Sequence, residues 1–406
     1  MQYDIIVIGA SIAGLLTARE VAKKGFSVLV LEEDAEIGTP EHCGGLVSRN
    51  ALKALGIDEY TILSRIKHAT VSVLNTTISI DAERQDVVAI DRRALDKYVA
   101  KQASKNGADI MLMCRARSFV VKDEQVKVDT SRGAMDCRVL VDARGCFVLA
   151  SSGKGFLPSA QYEVDHAPWV DAGRVEVYID QERYPGFFAW IIPSGKGKGR
   201  VGVSGKGINA MERLERFIEM KGIRGCDSSS NGNYNDDDNS NGNGRCVVLR
   251  KVFAPIWVDG PQRPFIRERR VVRVGDAAGQ AKPTTGGGIY TSGMGGVIAG
   301  SAIADALEYN NLNMLNRYEN GWLNLFGKEF ERMIMLRRVF ESLDNKAIER
   351  ILLAIRSQID EISVSGDFDF HSFAIAKMLL SRDGLSIVKA MLGSEFRRFL
   401  ANVAKI

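Results

Sequence analysis

The chain has 406 residues, of which 45% are hydrophobic and 26% charged, and its formal net charge is +4. This length exceeds one compact core, so we expect two or three domains. No apolar run reaches the roughly 18 residues of a membrane-spanning helix, and the small basic excess gives no reason to expect a nucleic-acid partner.

The six cysteines include no C-x-x-C pair, so the sequence indicates no metal site. The first residues lead directly into an apolar run without the pattern of a signal peptide. We therefore expect a cytoplasmic protein.

The first 33 residues predict a dinucleotide-binding unit. An apolar run at 3–8 is typical of a strand buried on both faces of a parallel sheet, and the turn Gly9 to Gly14 follows it. A helical pattern over 15–24 leads to a second apolar run at 28–31, which ends at Glu32. Such a turn brings a pyrophosphate to a helix N-terminus, and the acid binds ribose hydroxyls. A purely structural glycine turn is the alternative, but every part of the fingerprint is present in order.

One position departs from that fingerprint, because Ser11 stands where a second glycine is usual. Its side chain is small, so we expect it to hinder the approach of a pyrophosphate without preventing it.

The loop over 37–48 contains a proline, three glycines, a histidine and a cysteine. This composition indicates a backbone held close to a bound group. Cys43, followed by Gly44 and Gly45, suits the face of a flavin ring. A buried small hydrophobe is an equally good interpretation, because a thiol becomes a chemical candidate only in an accessible cleft.

Alternating segments between 69 and 89 predict antiparallel strands, and 91–100 predicts a helix capped by Asp91 with Arg92 in its first turn. Arg92 would reach a phosphate or a ring oxygen, or else lie on the surface. Short strands are expected at 109–113, 119–121 and 126–128. The run at 139–145 predicts a return to the nucleotide-binding sheet.

The segment 151–205 predicts strands rich in aromatic residues. Its run at 184–193 could wall an apolar pocket, although an ordinary sheet core is the simpler interpretation. The Asn/Asp-rich stretch between Cys226 and Cys246 has too little apolar surface to order itself. The two cysteines either close it as a disulfide or stay reduced, as is usual inside a cell.

A second glycine-rich site is predicted far along the chain. A buried strand at 270–274 ends in Gly275-Asp276, and a turn at 283–289 leads into a helix of small residues at 292–307. Two such sites suit the two ends of an extended cofactor such as FAD. The remainder reads as helices, and the one at 330–340 either lies on a membrane surface or docks on the protein's own core.

Together these motifs resemble the geranylgeranyl reductase family, and most closely the archaeal digeranylgeranylglycerophospholipid reductases. The resemblance covers nearly the whole chain apart from the Asn/Asp-rich stretch. Its most specific parts are the Cys43-Gly44-Gly45 loop, the Gly-Asp segment with its triple glycine, and a pocket motif at 185–193. Two family aromatic positions of that motif are Phe188 and Ile192 here, and Arg144-Gly145 replaces the usual Asp-Gly.

The resemblance implies an α/β fold: a Rossmann-like FAD-binding domain of the p-hydroxybenzoate-hydroxylase type, an antiparallel-sheet substrate domain and a helical C-terminal region. The expected division is 1–150 (with inserted strands at about 65–90) and 266–310 for FAD, 151–265 for substrate with the loop 226–246, and 311–406 for the helices. The expected cofactor-binding residues are Gly9, Ser11, Ala13, Gly14, Glu32, Cys43, Gly44, Gly45, Arg92, Ala116, Gly275, Asp276, Gly286, Gly287, Gly288 and Ile289. The substrate-binding residues are Phe188, Trp190 and Pro193, and Cys43 is the catalytic candidate.

The implied activity is flavin-dependent hydrogenation of the isolated double bonds of geranylgeranyl chains on archaeal membrane lipids. Ferredoxin or NADPH is the expected electron donor, since no second nucleotide fingerprint is present. A lipid substrate implies contact with the membrane surface, which leaves peripheral association with the inner face of the cell membrane open. The alternatives are an FAD-dependent monooxygenase or halogenase of the same fold, and a non-catalytic flavin- or lipid-binding protein.

Overall fold

A computed structural model describes residues 2–58, 61–122, 124–152, 154–221, 246–356, 359, 363 and 367–370. Cys226, the whole Asn/Asp-rich stretch and residues 371–406 lie outside this description, as do the predictions made for them. Cys246 is buried and disulfide-bonded.

Twenty strands are described. In chain order they are β1 Gln2–Ile8, β2 Val28–Leu31, β3 Leu46–Ser48, β4 Ile62–Arg65, β5 His68–Val73, β6 Thr76–Asp81, β7 Val87–Ile90, β8 Ala108–Met111, β9 Ala116–Val121, β10 Val126–Thr130, β11 Gly133–Asp142, β12 Phe156–Leu157, β13 Ser159–Asp165, β14 Arg174–Ile179, β15 Ala189–Gly195, β16 Lys198–Ser204, β17 Val247–Phe253, β18 Ile256–Trp257, β19 Ile266–Arg267 and β20 Val271–Arg273.

The described α-helices are α1 Ile12–Ala22, α2 Arg49–Ala54, α3 Arg92–Lys105, α4 Ala210–Met220, α5 Ile289–Glu308, α6 Asn316–Trp322, α7 Lys328–Ser342 and α8 Asn345–Ile355. A π-helical turn, Leu323–Gly327, joins α6 to α7. The helix α1 begins three residues earlier than its pattern predicts, because Ser11 takes the N-cap position and Ile12 is already helical. The predicted cap of α3 is confirmed: the Asp91 carboxylate accepts a hydrogen bond from the Ala94 backbone N–H at 3.0 Å.

The first sheet has eight strands, with the order β19-β20-β11-β1-β2-β8, and β10 and β9 continue it from β11. Its centre is parallel: β1 pairs with β2 and with β11, and β11 pairs with β20. Residues 5–8 of β1 and all of β2 are buried, as expected for strands covered on both faces. This is the predicted nucleotide-binding sheet, including the return of the chain through β11.

The second sheet has seven strands, with the order β17-β13-β16-β15-β14-β5-β6. It is antiparallel except where β14 pairs in parallel with β5, because the β5–β6 hairpin enters this sheet from much earlier in the chain. Side chains alternate along β15, so Trp190 and Ile192 belong to one apolar cluster and Ala189 and Ile191 to another. Strands β3, β7 and β4 form a small third sheet between the two.

The amphipathic helix predicted at 330–340 corresponds to α7. Its residues Phe330, Met333 and Leu336 are buried against the rest of the protein, so docking on the core is the confirmed alternative. Within the described part of the chain, no helix has both the length and the apolar character needed to cross a bilayer.

The last glycine of the first turn sets how closely α1 packs on β1. A Cβ atom on Gly14 would lie 2.3 Å from the Gly9 carbonyl oxygen and 3.0 Å from the Ala143 Cβ. Gly14→Ala should therefore lower the free energy of unfolding by about 2 kcal/mol, as overpacking of a tight site typically does. The midpoint of urea unfolding measures it.

Gly173→Ala is the control for that variant, because a Cβ there would have its nearest neighbour at 3.6 Å, an ordinary contact. Its effect should stay within about 0.5 kcal/mol. Equal losses in the two variants would contradict the packing explanation.

Candidate functional site

A cavity of about 1530 Å³ runs along the first sheet from the end of β2 to the start of α5. It is larger than the ~300–1,000 Å³ of a typical small-molecule pocket, which suits an extended ligand. Twelve of the sixteen predicted cofactor-binding residues line it: Gly9, Ser11, Ala13, Glu32, Cys43, Arg92, Ala116, Gly275, Asp276, Gly286, Gly288 and Ile289. The structure therefore brings the two glycine-rich sites, almost 270 residues apart, onto one cavity.

The other four predicted cofactor-binding residues, Gly14, Gly44, Gly45 and Gly287, do not line the cavity. Gly14 packs under the turn instead. A Cβ on Gly45 would lie 2.4 Å from an Arg200 guanidinium nitrogen, and one on Gly44 would lie 2.8 Å from Ile192. Those two glycines thus let the Cys43 loop approach the second sheet.

The first turn presents its backbone to the cavity. Gly9 has φ +104°, and a Cβ there would lie 2.5 Å from the Ala143 carbonyl oxygen, so this position requires glycine. Ser11 is exposed and extended at the N-cap of α1, and its side chain makes no capping hydrogen bond. The departure from glycine at this position therefore leaves the turn geometry intact.

Glu32 lies at the end of the cavity next to β2, where two backbone N–H groups hold its carboxylate. One carboxylate oxygen accepts a hydrogen bond from the Ala10 N–H at 2.8 Å, and the other accepts one from the Asp34 N–H at 3.1 Å. A carboxylate fixed in this orientation has lone pairs left for ribose hydroxyls, the role the sequence predicts for it.

Farther along the cavity, toward α5, Arg92 and Asp96 lie one turn apart on α3 and form a bifurcated ion pair. The same Arg92 nitrogen, Nη2, lies 3.0 Å from both Asp96 carboxylate oxygens. The Ile12 backbone N–H, at the start of α1, also hydrogen-bonds to Asp96. Burial raises the pKa of the Asp96 carboxyl, and Arg92 acts in the opposite direction. Asp96 was not among the predicted site residues, although its i,i+4 spacing from Arg92 was a usable signal.

The Arg92 Nε–H is buried and has no hydrogen-bond partner in the described protein. Buried donors are rarely left unpaired, so this group calls for an acceptor from a ligand. Arg92 also lowers the pKa of Asp276, whereas burial, the larger effect, raises it. The Ser292 hydroxyl donates to Asp276 at 3.4 Å. The cavity thus carries donors and an acceptor suited to a flavin with its polyol chain.

Cys43 is half-buried on the cavity wall, and its Sγ accepts a hydrogen bond from the Gly45 N–H at 3.3 Å. Next to it, burial lowers the pKa of the His42 imidazole, with Arg250 acting in the same direction. The thiol therefore lies where a bound cofactor could reach it, and of the two interpretations of Cys43 the geometry favours a thiol in an accessible cleft.

The predicted substrate-binding residues lie behind the Cys43 loop and do not line the cavity. Phe188 and Trp190 belong to an apolar cluster with Phe187, Ile192 and Leu46. The rings of Phe187 and Phe188 stack at 4.2 Å. Pro193 lies farther along β15, and side-chain alternation puts it on the opposite face, with Ile191. The structure does not bring Pro193 together with the other two.

Arg144, the residue that replaces a family carboxylate, is paired with Asp142 two residues earlier. Both Arg144 Nε and Nη2 donate to the Asp142 carboxylate at 2.9 Å. Burial and the nearby Arg267 lower the pKa of Arg273, which lines the same part of the cavity. The sequence did not predict that Arg267 and Arg273 would lie at the cavity, because their proximity depends on the pairing of β11, β20 and β19.

Comparisons with known proteins agree with this architecture. A family model described as FAD dependent oxidoreductase matches residues 4–88. The chain is 30% identical over 393 residues to digeranylgeranylglycerophospholipid reductase 2 of Methanothermobacter thermautotrophicus, covering 90% of this chain and 95% of that protein. A geranylgeranyl bacteriochlorophyll reductase-like protein from Thermoplasma acidophilum has a similar structure, with a TM-score of 0.79 at 22% identity over 99% of both chains. A halogenase variant in complex with FAD gives 0.62 at 16% identity, covering 100% of this chain and 92% of that one.

The predicted fold of the p-hydroxybenzoate-hydroxylase type is confirmed. The protein is an FAD-dependent oxidoreductase, and FAD is its cofactor.

The unpaired Arg92 donor generates a prediction for cofactor affinity. In Arg92→Gln/Asp96→Asn the ion pair is removed without leaving a buried charge. We expect FAD affinity to fall by at least about tenfold, the usual effect of losing one charged hydrogen bond. Fluorescence titration of the FAD-free protein measures it. Lys101→Gln, an exposed change on the same helix, is the control, and unchanged affinity in the double variant would remove Arg92 from the cofactor site.

The raised pKa of Asp276 predicts a pH dependence in the FAD-free protein. The folded state keeps the Asp276 proton to higher pH than the unfolded chain, so this contribution to stability is full in acid and is lost as pH rises through the folded pKa. Asp276→Asn should therefore match the parent protein near pH 4 and unfold at a higher temperature near pH 8. A difference that does not change with pH would contradict the assigned cause.

Proposed function

This chain belongs to the family of digeranylgeranylglycerophospholipid reductases, and we propose on that basis that it hydrogenates the isolated double bonds of geranylgeranyl chains on digeranylgeranylglycerol phospholipids. The observation that carries the proposal is the position of Cys43. This residue lines the FAD cavity, and the next residue, Gly44, lies against Ile192 of the apolar cluster that contains Phe188 and Trp190. A long apolar chain lying along that cluster would bring a double bond to the Cys43 side of the cofactor site.

An isolated alkene is unpolarised, so the protein must contribute chiefly proximity and a dry environment. Trp190 and Ile192 of the cluster are buried, so an alkene lying against them would be shielded from water. Reduced FAD, when bound, supplies the hydride for one alkene carbon. The second carbon then needs a proton, and the Cys43 thiol is the group we assign to donate it or to align the bond.

The reaction consumes two electrons and two protons for each double bond, so FAD must be reduced again after every turnover. Ferredoxin or NADPH is the electron donor we propose.

We also propose that the protein acts at the inner face of the cell membrane, since its substrate is a membrane lipid. Peripheral association would suffice, because only the prenyl chain has to enter the protein.

A halogenase or monooxygenase of the same fold is the second candidate, favoured by the structural likeness to the FAD-bound halogenase. The requirement for oxygen distinguishes the two functions. A reductase reoxidises its flavin with a geranylgeranyl lipid under anaerobic conditions, whereas a halogenase or monooxygenase requires oxygen. Dithionite-reduced protein incubated anaerobically with digeranylgeranylglyceryl phospholipid, followed by mass spectrometry of the lipid, makes the distinction.

Each reduced double bond should add 2 mass units to the lipid. If the lipid mass stays unchanged and the flavin is reoxidised only in air, the proposal is overturned.

Cys43→Ala should stay yellow and lose most of its turnover, by about 10²-fold, the range expected for loss of a positioned proton donor. Cys137→Ala, which removes a buried thiol from β11 in the first sheet, is the matched control. Unchanged turnover in Cys43→Ala would remove the thiol from the mechanism.

A further inference from the structure

Three neighbouring strands of the second sheet place Trp190, Gly202 and Gln161 in one row. Trp190 of β15 lies opposite Gly202 of β16, and Gly202 lies opposite Gln161 of β13. A Cβ on Gly202 would lie 2.3 Å from the indole Cζ2 and 2.8 Å from Nε1. The indole therefore lies across β16, in space that the side chain of any residue other than glycine at position 202 would fill. Its N–H reaches β13.

Gln161 hydrogen-bonds both to that N–H and to the Cys43 loop. Its Oε1 accepts a hydrogen bond from Trp190 Nε1 at 3.0 Å, and its Nε2 donates one to the Cys43 carbonyl oxygen at 3.4 Å. The residue is buried, with 7% of its surface exposed. Both polar ends of this buried amide are therefore hydrogen-bonded, the oxygen to Trp190 and the nitrogen to the Cys43 carbonyl.

The same loop has a second attachment to the sheet. Arg200 donates to the Gly44 carbonyl oxygen at 3.1 Å and forms a buried ion pair with Glu41 at 2.8 Å. Glu41 also pairs with Arg250 at 3.0 Å. These charged contacts hold the loop on both sides of Cys43, at Glu41 and at Gly44. The Gln161 contact differs from them, because it joins Cys43 itself to an indole of the apolar cluster.

We propose that Gln161 is a positioning residue that makes the placement of Cys43 depend on the indole of Trp190, and so on the prenyl chain packed beside it. This inference rests on the proposed function for its substrate. The coupling between the two residues is a property of the protein alone. A chain that moves the indole shifts Gln161 and, through it, the Cys43 carbonyl. Gln161 thereby contributes to which double bond is reduced.

Three substitutions separate the two hydrogen bonds. Gln161→Leu removes both. Gln161→Glu keeps an acceptor for the indole N–H and loses the donor to Cys43, whose carbonyl then faces a carboxylate. Trp190→Phe removes the indole bond alone. Gln125→Leu, in the turn between β9 and β10, is the matched control.

The first measurement needs neither substrate nor cofactor. The rate at which iodoacetamide alkylates Cys43, followed by mass spectrometry of its peptide, reports how firmly the loop is held. We expect an increase of about tenfold in Gln161→Leu and Gln161→Glu, as for loss of one buried hydrogen bond, and a smaller increase in Trp190→Phe. Gln125→Leu should match the parent protein.

The second measurement uses the FAD-loaded enzyme and geranylgeranyl lipid. In both Gln161 variants kcat should fall by about tenfold with little change in KM, and the pattern of partly reduced lipids should broaden. Unchanged alkylation and unchanged product pattern in Gln161→Glu would overturn the proposal. Should Gln161→Leu not fold, the other two variants still decide it. A parent protein that fails to reduce the lipid, while the variants alter Cys43 alkylation, would contradict the proposed function and leave the coupling standing.

Discussion

The close backbone contact between α1 and α5 is the constraint on which the cofactor site depends. A Cβ on Gly296 of α5 would lie 2.3 Å from the Ala13 carbonyl oxygen of α1, and the Thr17 hydroxyl bonds to the Gly296 carbonyl oxygen at 3.1 Å. This contact holds the two helices side by side, and residues at both of their N-termini, Ile12 and Ile289, line the same cavity. Both helix dipoles are therefore directed toward one anionic cofactor.

The second sheet holds the loop that carries Cys43, the residue proposed to act in catalysis. Glu41 and Arg200 are both nearly inaccessible, with 4% and 2% of their surfaces exposed. Buried charges are tolerated only when well paired, and a mispaired one costs several kcal/mol. The loop consequently has one well-defined docking geometry on the sheet. This fixes Cys43 on the wall of the cofactor cavity and Gly44 against Ile192 of the apolar cluster, which is the arrangement that the proposed reduction of an isolated alkene uses.

Two of the departures from the family pattern, at Ser11 and Arg144, have local explanations. Ser11 is exposed at the helix N-cap and leaves the turn unchanged. The charge of Arg144 is neutralised by an ion pair with Asp142, the last residue of β11. Neither departure disturbs the path from Glu32 to Asp276 along the cavity. A non-catalytic carrier, which these departures prompted as an alternative, gains no support from them.

The sequence by itself determined the nucleotide turn, the acid after β2, the capped helix α3 and the second glycine site, because each depends on local spacing of strand, turn and helix. It also predicted which residues would meet FAD, and most of them line one cavity. It could not predict that Gly44 and Gly45 serve the contact with the second sheet, or that Trp190 reaches Cys43 through Gln161. Those contacts depend on the register between strands distant in the chain, and only the tertiary structure decided that register.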